Sequence, residues 1–366
     1  MKKEFLIVIT AIIVKLLYLL FAYSSGKDFN ISVFKNNDSY WYETIAVNGH
    51  QKITPDQLGK CEEGNIEQSY YAFFPLYPLI VGLTIKVTGL TFNTIAFVYS
   101  IIFSIALFLI FFKFTRKVSG NEQMAFHSSL LLILLPFHYY FSVFYTESLF
   151  LFLLIASFYS IELKKMKLFS VLAILLVLVR PNGLFMLIPL FIYYLEKNHG
   201  NKVTEWFKIT LKRPLSLMFF VIPVLFFIMY CVYLGWMTGD FFAYKTAQAG
   251  WCRETVWPWV PIFRSSNWMD YFNSAYLIGF MIISTIYLKK MPLSYISFIW
   301  ISLLLPLTAN SITSPRFISV IFVFSIIFGE LLSKNKAVAN ITIYILLFLA
   351  QLASFHFWLI SSPFSY

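Results

Sequence analysis

The chain has 366 residues, 59% hydrophobic and only 12% charged, with a mean hydropathy of +0.75 and a formal net charge of +11. A soluble domain carries about 25% charged residues, so this composition excludes an ordinary water-soluble fold and describes a chain solvated mainly by lipid. The cysteines at 61, 231 and 252 have no ligand-like spacing, which argues against a structural metal. The positive excess gathers on one side of the topology drawn below, so it is not a nucleic-acid signal.

Apolar stretches of roughly 17–25 residues recur along the chain, as in a polytopic helical membrane protein. They are continuous rather than alternating, which disfavours an outer-membrane barrel. Lys2 and Lys3 precede a first helix over residues 5–23, running from inside to outside. It lacks a small-residue cleavage site and reads as a retained helix rather than a signal peptide. Lys15, within it, is expected to snorkel to the interface.

Residues 24–92 then form a first outer loop. Its apolar stretch 75–90, interrupted by Pro75, Pro78, Lys86 and Gly89, is expected to be interfacial or re-entrant. A full crossing there would turn Lys113, Arg116 and Lys117 outward, against the positive-inside rule. Further segments follow at 93–112, 124–136, 147–161, 168–179, 183–195 and 215–234, with a basic stretch at 197–213. A second outer loop, 235–272, is rich in Trp and is expected to serve mainly as an interfacial anchor. The last segments are 273–288, 293–308, 317–332 and 337–359, with an outer turn at 310–316. The expectation is one all-α membrane domain over 1–366 with eleven transmembrane helices, N-terminus inside and C-terminus outside. On this topology Cys61 and Cys252 both lie outside, which leaves a disulfide between the two loops possible.

Two hairpins are too short to cross. Legs of about 12–15 residues reach roughly 18–22 Å, against a hydrocarbon core of ~30 Å. Their tips, PFHYYFSVFYTE (136–147) and RPNG (180–183), are therefore expected below the outer surface, and charges at that depth must be buried in protein or line a wet cavity. This places His138, Glu147, Arg180 and Asn182 at one outward cavity, which Asp38 and Arg316 can reach from neighbouring loops. Paired carboxylates and guanidiniums suit a definite chemistry. A carboxylate within hydrogen-bond reach can deprotonate a hydroxyl, and Arg balances the charge of a phosphate leaving group. Trp41 and Tyr145 offer flat faces to a sugar or sit in the interfacial belt. Each residue also has a plainer reading: Asp38 as a loop carboxylate, Glu147 as a helix N-terminal acid, and His138 as a hydrogen-bonded core histidine.

The ordered set NDSYWYETIAVNGH (37–50), AFFPLYPL (72–79), PFHYYFSVFYTESLFLFL (136–153), RPNGL (180–184) and SPRF (314–317) resembles the PIG-V mannosyltransferases of the GT-C superfamily. That family contains many bacterial members. The resemblance implies an integral-membrane, inverting glycosyltransferase in the cytoplasmic membrane, with its active site on the outer face. Its donor would be a hexose, most plausibly mannose, on polyprenyl phosphate, and its acceptor a lipid or glycan. Asp38 would be the general base and Glu147 would position a substrate, while Arg180 and Arg316 stabilise the released phosphate. Trp41, His138, Tyr145 and Asn182 would contact substrate. Two positions depart from the family: Asn37 stands where it has Trp, and Pro181 where it has Ser. The resemblance leaves divalent-metal need and oligomeric state open. The alternatives are a transporter or flippase of lipid-linked substrates, disfavoured by the absence of a repeat, and another lipid-linked-sugar enzyme such as an O-antigen ligase.

Overall fold

The structure is a computed structural model describing residues 2–62, 65–199, 214–264, 267–310 and 314–362. Among these, the sole sheet is a two-stranded antiparallel hairpin, Lys60–Glu62 with Asn65–Glu67, and nearly all the rest is helical. Helices of eight residues or more are α1 (Lys2–Ser24), α2 (Asp38–Asn48), α3 (Leu76–Thr88), α4 (Phe92–Ser119), α5 (Glu122–Leu134), α6 (Glu147–Glu162) and α7 (Met166–Val177). They continue as α8 (Leu187–His199), α9 (Pro214–Thr238), α10 (Trp268–Tyr287), α11 (Leu293–Leu304), α12 (Phe322–Leu332) and α13 (Ala337–Leu359).

Among the described residues, five helices are long and apolar enough to cross a membrane: Lys2–Ser24, Phe92–Ser119, Ser216–Thr238, Trp268–Lys290 and Ala337–Leu359. The chain is an all-α integral membrane protein. Four more apolar helices are shorter, among them Leu76–Thr88 in the stretch expected not to cross and Met166–Val177 in a short hairpin. The basic stretch 197–213 lies mostly outside the described residues, as does part of the turn 310–316.

By its internal contacts the chain divides into two compact units. The first comprises Met1–Tyr40, Leu83–Ala156 and Pro315–Tyr366, and the second Trp41–Gly82 and Ser157–Ser314. At the centre of the first unit is α5, packed against α1, α4, α12 and α13. It is buried from Ser128 through Leu134 without a break, as a helix with no lipid-facing side must be. Its C-terminal carbonyls have no helical partner and no water to turn to. Gln351 of α13, fully buried, supplies one: its Nε2 donates to the carbonyls of Ile133 (2.9 Å) and Leu135 (3.0 Å).

The α5–α12 crossing is tight because Gly329 has no side chain. A Cβ there would lie 2.7 Å from the backbone nitrogen of Ser128 and closer still to its Oγ. Small residues let membrane helices approach in this way. The helix expected over 317–332 is broken: it ends at Ser319, turns through Val320 and Ile321, and resumes at Phe322. The Ser319 hydroxyl donates to the Arg316 carbonyl (2.6 Å), and such local bonding competes with regular helix.

Lys15 does not snorkel. It is buried, donating to the Ser100 hydroxyl and to the Ser142 carbonyl (3.1 Å), with the rings of Phe34 and Phe97 at 5.2 and 5.0 Å. Two oxygen acceptors and two aromatic faces replace the water that snorkelling would have sought.

In the second unit α7 packs on α9, and α11 on α8 and α10. The turn Pro181–Gly183 lies against α7, where a Cβ on Gly183 would meet the Leu176 carbonyl at 2.3 Å. Glu196 caps the start of α11 by accepting from the Ser294 backbone (3.1 Å) and hydroxyl (2.6 Å). The described residues of 49–75 pack against those of 239–263. A disulfide joins Cys61 to Cys252, Gly59 lies against the Gly250 backbone, and the Tyr71 hydroxyl donates to the Gln51 carbonyl (2.6 Å). Trp257 and Trp259 stack at 5.2 Å and are largely exposed, as is Trp268, whereas Trp251 is half-buried. The exposed three suit the anchor role expected of this loop.

Two outcomes test this architecture. Gly329→Ala should lower the melting temperature in detergent, because overpacking a tight contact costs about 1–3 kcal/mol; an unchanged melt would mean the helices are free to move apart. Alkylation of unfolded, unreduced protein should mark Cys231 alone, and prior reduction should add two labels by mass. Three labels without reduction would rule the bond out.

Candidate active site

The candidate site lies within the first unit and is built from three stretches distant in sequence. Asp38 begins α2, Glu147 begins α6, and Arg316 lies in the short helix Ser314–Ser319. Arg316 joins the two acids. Its Nη2 is 2.7 Å from Asp38 Oδ2, and its Nε donates to Glu147 Oε1 at 2.6 Å. The guanidinium also lies over the Tyr145 ring, 4.3 Å from its centroid, and 5.7 Å from that of Tyr140.

Exposure across the trio is graded. The Glu147 side chain is 0% exposed, Arg316 10% and Asp38 22%. Burial works against the Arg316 charge, but the Asp38 and Glu147 carboxylates outweigh it and hold its pKa well above the ordinary value. Two carboxyl groups thus share one guanidinium. Glu147 has a second source of support, since an acid in the first turn faces the positive end of α6.

Asp38 is held from both sides along the backbone. Its N–H donates to the Tyr145 hydroxyl at 3.2 Å. Asn37, just before it, takes a left-handed conformation (φ 46°), which Asn tolerates and bulkier residues resist. Asn36 forms a bracket: its Nδ2 donates to the Trp358 carbonyl and to the Ser361 hydroxyl, both at 2.9 Å, while its Oδ1 accepts from the Asn37 backbone.

Trp358, at the end of α13, completes the support. Its Nε1 donates to the Val33 carbonyl (2.8 Å) and its ring meets that of Tyr145 edge-on at 5.1 Å. Lys15 holds the Ser142 carbonyl from the opposite end of the loop that carries Tyr145 and Glu147. Sequence reasoning missed Trp358, Asn36 and Tyr140. A Trp near the end of a terminal helix reads as interfacial belt, and only its burial (1% exposed) says otherwise.

Of the sequence-derived residues, the structure brings together Asp38, Tyr145, Glu147 and Arg316. His138 is in the same unit but is buried against backbone, its Nδ1 2.8 Å from the Leu132 carbonyl. Trp41, Arg180 and Asn182 belong to the second unit. There Trp41 stacks on Phe73 at 6.2 Å and meets Trp251 edge-on at 5.9 Å. Arg180 is half-buried and extended before Pro181, and Asn182 Oδ1 is buried with no hydrogen-bond partner among the described residues. Among the described residues no three His, Cys, Asp or Glu side chains gather as a metal-holding group.

The trio has an energetic signature. Arg316→Met leaves Glu147 buried without its cation and should destabilise the protein by about 3–5 kcal/mol, while Arg316→Met combined with Glu147→Leu should recover most of the loss. Thermal unfolding of the single and double variants measures both, and equal losses in the two would refute the coupling.

No protein-family model and no curated protein matches the chain. Among solved structures it is similar to the Archaeoglobus fulgidus oligosaccharyltransferase in complex with zinc and sulfate, at 14% identity and a TM-score of 0.46, over 96% of this chain and 53% of that one. Against the apo form the figures are 13%, 0.48, 96% and 55%. Against AglB of the same organism, in complex with an inhibitory peptide and a dolichol-phosphate, they are 12%, 0.44, 97% and 56%. The chain therefore spans little more than half the length of the solved chains it matches.

Proposed function

We propose that the chain is an inverting GT-C-type glycosyltransferase of PIG-V kind. It would move a hexose, most plausibly mannose, from polyprenyl phosphate to a hydroxyl of a lipid or glycan acceptor. The observation that carries this reading is Arg316 held between Asp38 and Glu147 inside an apolar bundle. Such a trio offers a proton acceptor and an anion-binding group within one guanidinium's reach of each other. Those are the two functions that transfer from a lipid phosphate requires.

In this reading the acceptor hydroxyl gives its proton to Asp38. Its oxygen forms the new bond at the anomeric carbon, and the sugar–phosphate C–O bond breaks with its electron pair leaving on the phosphate. Arg316 balances the charge that develops there. Asp38 is the more open carboxylate, which suits the group that must meet an acceptor, whereas the buried Glu147 suits an anchor for Arg316. The sequence resemblance, rather than geometry, assigns substrate contacts to Trp41, His138, Arg180 and Asn182. The disulfide supports placing its loops on an oxidising side, hence at the outer face of a bacterial cytoplasmic membrane.

The test is transfer or hydrolysis of a synthetic polyprenyl-phosphate mannose by purified protein in detergent. Asp38→Asn should elute and melt as a folded protein yet lose about 10²–10⁴-fold in rate, the usual loss on removing a general base. Near-normal transfer by that variant would sink the assignment.

A further inference from the structure

Arg316 poses a problem for the reading just given, on which this inference rests. The guanidinium that would bind phosphate is already paired, and so is the carboxylate that would act as base: the two are paired with each other. With Arg316 Nη2 2.7 Å from Asp38 Oδ2, that oxygen faces the guanidinium rather than an incoming hydroxyl. A phosphate oxygen that takes the Nη2 position of Arg316 must displace the Asp38 oxygen that holds it.

The geometry also shows which bond can yield. The Arg316 Nε to Glu147 bond is shut in, with one partner 0% exposed and the other 10%. Breaking it would strand a buried charge. The Nη2 to Asp38 bond is at the open edge, with Asp38 22% exposed, and a bond there exchanges partners at lower cost. The Tyr145 ring under the guanidinium fixes its plane whichever anion sits at the Nη edge.

We infer that Asp38 is the exchangeable partner of Arg316: an incoming phosphate takes its place at the Nη edge while Glu147 keeps hold of Nε, and only then is Asp38 free to accept a proton. Phosphate binding thereby activates the base, and binding is ordered, donor before acceptor chemistry. With no donor present, Asp38 stays paired and does not activate water. After transfer the departing phosphate returns Arg316 to Asp38 and expels the proton.

The experiment is direct binding, which needs no transfer activity. Farnesyl phosphate is titrated into wild-type and variant protein in detergent, with inorganic phosphate as a second arm to separate lipid-borne from free phosphate. Asp38→Asn removes the competing charge and should bind farnesyl phosphate about two- to fivefold tighter, the worth of one partly exposed ion pair. Glu147→Gln should bind no tighter than wild type, Arg316→Gln should lose binding, and Asp28→Asn, a loop acid outside the cluster, should bind as wild type. Simple repulsion would make Glu147→Gln tighten as much as Asp38→Asn, and that result overturns the proposal, as does an unchanged affinity in Asp38→Asn. Should Glu147→Gln not fold, Asp38→Asn is repeated in the Arg316→Gln background, where tightening that persists without Arg316 overturns it too. Failure of mannose transfer leaves this competition intact, and failure of the competition leaves transfer intact, so the two readings stand or fall separately.

Discussion

A guanidinium buried among apolar helices must find carboxylate oxygens, and the first unit of this chain is arranged so that Arg316 finds two. The arrangement recruits residues from four places in the sequence. Asp38 and Glu147 supply charge, Tyr145 and Tyr140 supply ring faces, and Trp358 and Asn36 hold the backbone on which Asp38 is mounted. Each of these groups is itself polar or partly so, and each would be costly to bury alone. The cluster is stable because its members satisfy one another, so disturbing one member exposes the cost of the rest.

How much of this could be read from the sequence depends on whether a residue's role is local. Composition and segment length revealed a helical membrane protein, because lipid imposes its demands on every stretch of chain. The shortness of the hairpin legs was also legible, and α5 and α7 are indeed 13 and 12 residues long. Asp38, Glu147 and Arg316 stood out because a charge in so apolar a chain needs a reason. That they meet at one guanidinium, with Glu147 sealed and Asp38 open, is a three-dimensional fact that no spacing encodes.

The misreadings have the same root. Lys15 was expected to snorkel because its acceptors, Ser100 and the Ser142 carbonyl, are 85 and 127 residues away. The break at Val320–Ile321 hides in an unbroken run of β-branched and aromatic residues that reads as continuous helix. The role of Gln351, bonding the carbonyls at the C-terminal end of α5, is likewise visible only in three dimensions. Asn37 is another position legible only in three dimensions, where its backbone is left-handed.

The link between Cys61 and Cys252 spans 191 residues, and that length orders events as the protein is made. The chain emerges N-terminus first, so Cys61 waits as a free thiol while α3 through α9 are synthesised and inserted. The bond can close only after Cys252 has been made and both loops have reached the same compartment, by which time α3 through α9 have been synthesised. Once closed it makes the intervening chain a loop with its ends tied, so a helix hairpin that slips out of the bilayer cannot carry those ends apart. The covalent staple thus ties two loops together without having placed any of the helices between them.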